Sequence, residues 1–190
     1  RTMEEPAGEG MFTGILDYST HEIIDDLFGG VGGAPERLSQ LSRTAIPAVI
    51  SVGACDYMIY PSPEHIPQSF QGRPTLFYNP QMTFVQPSPD DMTKVAGIIA
   101  ERLNQALGPT LMLIPKRGFS APNIEGGPLW GPEGNQAMID GLRQLLKPEV
   151  PLVTIDAHIN DAVFADTAAD ALMALIGGAQ PSEVASELQK

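Results

Sequence analysis

Basic residues are scarce in this chain: 11 Lys and Arg stand against 23 Asp and Glu, a formal charge of −12. Nucleic acid and anionic membrane surfaces are bound through basic patches, so neither is an expected partner. A small anionic ligand stays open, because backbone N–H groups at helix starts hold one inside an acidic protein. Cysteine occurs once, at Cys55, so no internal disulfide forms, which fits a reducing compartment. Apolar runs fall well short of the roughly 20 residues that span a bilayer, and no signal-peptide pattern is visible. A soluble, cytoplasmic protein is the expectation. Histidine is also rare, and the spacings of metal-ligand motifs are missing, so no metal site is expected.

Apolar strands alternating with helical segments fill the rest. A hydrophobic content of 43% over 190 residues suits one domain with a proper core. We expect that domain over residues 1–178, with 179–190 as a tail. The polar first ten residues, with no strand before them, suggest a piece of a longer protein. Strands are expected at residues 11–16, 48–52, 75–78, 111–114 and 152–155. Helices are expected from a Ser19/Glu22 capping box to about Phe28, from Pro35 with Leu38 and Leu41 inward, and from Ser88-Pro89-Asp90-Asp91 to Leu107. Two more follow around Met138–Leu146 and over residues 161–176. Between them lie a Pro-rich loop at 61–67 and a Gly/Pro loop at 123–134. Strands apolar throughout, separated by helices, predict an α/β fold in three layers. Its mostly parallel sheet carries helices on both faces and is Rossmann-like. Right-handed crossovers gather the strand ends on one rim, where open α/β sheets put their ligand sites.

Several polar groups fall on that rim. His158, beside Asp156, Asn160 and Asp161, follows the last strand and is the candidate acid/base residue. Asn160 or Asp161 also suits a helix cap. Gly29-Gly30-Val31-Gly32-Gly33, with Arg37 close by, could wrap an anion with backbone N–H groups, although it matches neither a P-loop nor the dinucleotide fingerprint. Gly53 and Asp56 follow the second strand, and Asp56 reads as a polar anchor. Cys55 lies between them with no His close in sequence, which argues against a nucleophile. Lys116-Arg117-Gly118-Phe119-Ser120 carries the one local basic pair, suited to a carboxylate or phosphate, with Ser120 as a donor. Asn79 and Trp130 are placed near the same rim.

Six segments occur here in one particular order: Gly29-Gly30 with Pro35-Glu36-Arg37-Leu38, Ser51-Val52-Gly53-Ala54-Cys55-Asp56, Phe70-Gln71-Gly72-Arg73, Tyr78-Asn79-Pro80, Gly118-Phe119-Ser120 and His158-Ile159-Asn160-Asp161. Together they resemble the C-terminal domain of an uncharacterised bacterial, fungal and plant family that includes the ATP-binding tomato mosaic virus resistance protein. The resemblance runs from Arg1-Thr2-Met3-Glu4 to about Leu175. It implies a two-domain α/β protein about twice this length, with this chain as the second half and the N-terminal domain as its partner. The cofactor stays open, with ATP and Mg²⁺ one option for the full-length protein; relatives carry a Gly-rich strand-to-helix turn just before the position of Arg1. Two residues depart from the expected pattern: Tyr78 stands where a His is common, and Gln86 where an Arg is common.

The leading expectation is a ligand-binding domain for a nucleotide or small phosphorylated metabolite. One alternative is an enzyme on a small carbonyl or phosphorylated substrate, with His158 moving the proton. The other is an interaction module, since an exposed sheet edge favours a homo-oligomer.

Overall fold

The computed structural model describes Pro6 and residues 11–190. The match at Arg1-Thr2-Met3-Glu4 therefore lies outside the described residues. Four strands form a parallel sheet in the order β1 (Ile15–Ser19), β2 (Ala48–Gly53), β6 (Thr110–Pro115), β7 (Leu152–Ile155). Its order follows the chain, so each crossover steps to the next position. Helices α1 (Glu22–Phe28), α2 (Pro89–Leu103) and α3 (Pro132–Leu145) lie along this path. After β7, α4 (Ala162–Ile176) and α5 (Pro181–Leu188) cover the opposite face, α4 against β1 and β2, and α5 against β6 and β7.

The alternation of side chains explains why two covers are needed. In β2, Ala48, Ile50 and Val52 join a core with α1, α2 and α3, while Val49 joins a second core with α4 and α5. In β6, Met112 and Ile114 point to the first core, and Leu111 and Leu113 to the second. Successive strand residues point to opposite faces, so a strand apolar at every position demands helices on both. The expected three-layer α/β fold is what forms. Val184 and Ala185 of α5 are buried in the second core, so residues past Gly178 pack on the sheet.

Some local expectations fail for physical reasons. The first strand starts at Ile15, not Met11, because pairing with β2 begins at Ile15 opposite Ala48, and Met11 is 68% exposed. The Ser19/Glu22 capping box does not form. Ser19 still belongs to β1, and its hydroxyl donates to the Gly53 carbonyl at 3.0 Å, while Glu22 accepts from Arg37. No α-helix starts at Pro35. Leu38 takes a left-handed φ of 70°, and only a short 3₁₀ turn, Ser39–Ser42, follows. The strand at residues 75–78 exists as β4 (Thr75–Asn79), but in a separate antiparallel sheet of order β3–β5–β4. Its partners, β3 (Met58–Tyr60) and β5 (Met82–Val85), were not expected from the sequence. By contrast, α2 starts as read: the Ser88 hydroxyl accepts from the Asp91 N–H, and Asp91 accepts from the Ser88 N–H.

Candidate functional site

The carboxyl ends of all four parallel strands meet around one groove of about 250 Å³. Tyr18 and Ser19 come from the end of β1, and Gly53 and Ala54 from the end of β2. Phe119, Ser120 and Ala121 follow β6, and Ile159 and Asn160 follow β7. Tyr57 completes the wall. Ala54 holds a left-handed φ of 58° without being glycine, fixed by its N–H donating to Phe119 O at 2.8 Å. Such strained backbone gathers where a surface is shaped for a ligand.

The loops behind the groove are tightly tied. Ser120 donates its hydroxyl to Asp56 Oδ2 at 2.9 Å, and its carbonyl lies 3.0 Å from His158 Nε2. The Asn160 N–H donates to His158 Nδ1 at 3.2 Å, so Nε2 carries the proton and donates to Ser120. His158 is thus buried, with both ring nitrogens engaged by backbone, and its own N–H donates to Asp161 Oδ2. Asp161 stands at the N-cap of α4 in extended backbone. Gly118, at φ 128°, lets the chain pass where a Cβ would sit 1.8 Å from Asn123 O. No L side chain fits there.

Asp56 is buried beneath Ser120, and burial pushes its carboxyl up to about 6. Its Oδ1 has no hydrogen-bond partner among the described residues. It borders a small cavity of about 10 Å³ shared with Gln86, Asn123 and Asn135, the last two bonded to each other amide to amide. Cys55 is fully buried, and burial pushes its thiol up to about 12, so it is inert.

The expected anion holders are spread apart and largely occupied from within. The Gly29–Gly33 run does wrap an anion, but that anion is Asp25 of the same chain. Gly32 N–H donates to Asp25 Oδ2 at 2.8 Å, Ile59 N–H to Oδ1 at 2.8 Å, and His21 Nε2 lies 3.1 Å away. Asp25 is wholly buried, and a Cβ on Gly30 would overlap its carboxylate. Burial opposes charging His21, yet the Asp25 hydrogen bond and charge outweigh it and raise its pKa. Arg37 is buried against Asp17 at 2.5 Å and Glu22 at 3.1 Å. Arg117 grips Asp156 with two bonds of 2.9 and 2.7 Å on the open surface, and Lys116 is exposed beside it. Asn79 lies on the second sheet, where its Oδ1 accepts from Gln81 N–H in a turn. There Tyr78 stacks on Phe84, which stacks on Tyr57. Trp130 sits in the loop before α3 and does not line the groove.

Of the sequence candidates, Gly53, Ser120 and Asn160 line the groove, while Asp56, His158, Gly118 and Asp161 form its support. The ring walls Tyr18, Tyr57 and Phe119 were not singled out as ligand contacts. Their signal was position: Tyr18 sits near the end of β1, and the other two follow the ends of β2 and β6. Among the described residues no cluster of three or more His, Cys, Asp or Glu could hold a metal ion. None of their helices is long and apolar enough to cross a membrane.

Comparison with known proteins gives the same family along the chain. The model of the uncharacterised protein family UPF0261 C-terminal domain matches residues 1–176. A UPF0261 protein of Rhizobium meliloti is 36% identical over 171 residues, covering 88% of this chain and 43% of that protein. A UPF0261 protein of Clostridium tetani is 33% identical over 167 residues, covering 87% and 41%. The ToMV resistance protein Tm-1(GCR237) of Solanum lycopersicum is 31% identical over 176 residues, covering 91% and 23%. The chain thus spans less than half the length of these relatives. With a family model matched over nearly its whole length, it belongs to the UPF0261 family, in the region of that family's C-terminal domain.

Proposed function

We propose that this chain is a small-molecule-binding domain whose ligand sits in the rim groove and which acts with the N-terminal half of a longer protein. One observation carries the reading: the ends of all four parallel strands contribute to a single concave site, the position where open α/β sheets bind ligands. The length of the relatives supports a partner half. A nucleotide fits this reading if its ring lies against Tyr18 and Tyr57 and its phosphates are met by that other half. The cations of this chain give phosphate little support, since Arg37 and Arg117 are already paired with carboxylates. The hydrogen bonds of His158 favour binding over proton transfer, because both ring nitrogens are committed to backbone.

Ala121 is exposed and lines the groove, so Ala121→Trp fills the site without entering the core. A fragment screen by ligand-observed NMR should give hits that this variant abolishes while its melting temperature stays unchanged. Hits that ignore the substitution, or a screen without hits, would refute the reading.

A further inference from the structure

Four hydroxyl-bearing residues line the groove, and three of them have already given their proton to the protein. Tyr18 Oη donates to Ile159 O at 2.5 Å, and Ser19 Oγ donates to Gly53 O at 3.0 Å. Ser120 Oγ donates to Asp56 Oδ2 at 2.9 Å. A hydroxyl has one proton and two lone pairs, so what these groups have left for a ligand is acceptor capacity. Tyr57 and Asn160 can turn either way. The fixed polarity of the wall is therefore that of an acceptor surface, and it favours a ligand rich in N–H donors.

The charges around the wall point the same way. Among the described residues, none that lines the groove is basic. The Arg37 guanidinium reaches Ser19 O from below at 3.0 Å, but it is held by both Asp17 and Glu22. His21 meets Ala54 O through Nδ1 at 2.6 Å and has Asp25 as its counter-charge. Asp56 stands directly behind Ser120, and Asp161 accepts from the His158 N–H in the loop beside Ile159 and Asn160. Tyr18 and Tyr57, both half-buried, supply aromatic ring surface, which attracts a cation through its negative centre.

We propose that the groove takes the positively charged, amine-bearing end of a small molecule, held by hydroxyl lone pairs and aromatic faces. This assignment rests on the small-molecule reading above and goes further by naming the ligand class. An anion entering the same site would meet hydroxyl lone pairs and find no cation among the described lining side chains. A neutral polyol would satisfy some of the acceptors but would gain nothing from the rings or the acidic surroundings.

Isothermal titration of the full chain with putrescine, butanediol, inorganic phosphate and AMP tests the proposal. Saturable putrescine binding is expected, about tenfold or more tighter than butanediol, and weakened about tenfold by Ser19→Ala. Ala121→Trp should abolish it. Phosphate or AMP binding more tightly than putrescine, and lost in Ala121→Trp, would overturn the amine assignment while leaving the groove a ligand site. Putrescine binding that survives both substitutions would belong to the acidic surface elsewhere and would also overturn it. Silence from all four probes overturns the assignment, whereas the fragment screen decides separately whether the groove binds anything.

Discussion

Replacing Asp56 by Asn should make the protein more stable at neutral pH and less stable in acid. Asp56 is fully buried, and its carboxyl rises from 3.8 to about 6 because burial disfavours the charged form. The folded protein therefore binds this proton more tightly than the unfolded chain does. Stability linked to Asp56 is full below about pH 4 and is lost as pH rises through about 6. That rise in pKa corresponds to about 3 kcal/mol. In the variant, the amide oxygen still accepts from Ser120 Oγ, while the new NH₂ occupies the place of the unpartnered Oδ1. An imperfectly matched buried amide costs about 1 kcal/mol. The net gain is then about 2 kcal/mol near pH 8, turning to a loss of about 1 kcal/mol near pH 4. Urea denaturation of both proteins across this range reads it directly. At a slope of about 2 kcal/mol per molar urea, the midpoint of the variant should move up by about 1 M near pH 8. A difference between the proteins that stays constant from about pH 4 to pH 8 would refute the assignment of this ionisation to Asp56.

Two further outcomes follow from the backbone and the caps. Ser88→Ala removes the oxygen that accepts the Asp91 N–H at the start of α2, so thermal unfolding should show a loss of about 1 kcal/mol. Gly118→Ala would place a Cβ 1.8 Å from Asn123 O at a φ of 128°, and calorimetry should show a loss of about 3 kcal/mol or more, with the 118–123 loop displaced in an NMR amide map.

The central sheet and α2, α3 and α4 were legible because their signals are local and repeated. β2 and β6 are mostly apolar and buried at every position, and Ser88-Pro89-Asp90-Asp91 writes out a helix start in four residues. The second sheet was not legible. β3 spans three residues beside a Pro-rich loop, and β4 is largely exposed at a sheet edge, so neither carries a burial rhythm. The helix expected at Pro35 fails because a tertiary pull wins. Arg37 is drawn to Asp17 and Glu22, and the chain turns left-handed at Leu38, although Leu38 and Leu41 are buried as read. On the rim, the strand ends named Gly53, Ser120 and Asn160, which line one groove. What sequence cannot show is which polar groups have already found partners. Arg37, Arg117 and the glycine run all look free for a ligand until the fold brings up Asp17, Asp156 and Asp25.

Asp25, held by the Gly32 and Ile59 amides and by His21, is a guest tied to its host by a few residues of chain. Tethering gives a group an effective concentration in the millimolar range or above, and a buried, prealigned one exceeds that. A free anion would have to evict it and leave a charge stranded beside His21. The glycine run is therefore closed to soluble competitors while its receptor geometry stays intact. Shortening that one side chain would leave the Gly32 and Ile59 N–H groups and His21 without their acceptor around a buried hole the size of a carboxylate.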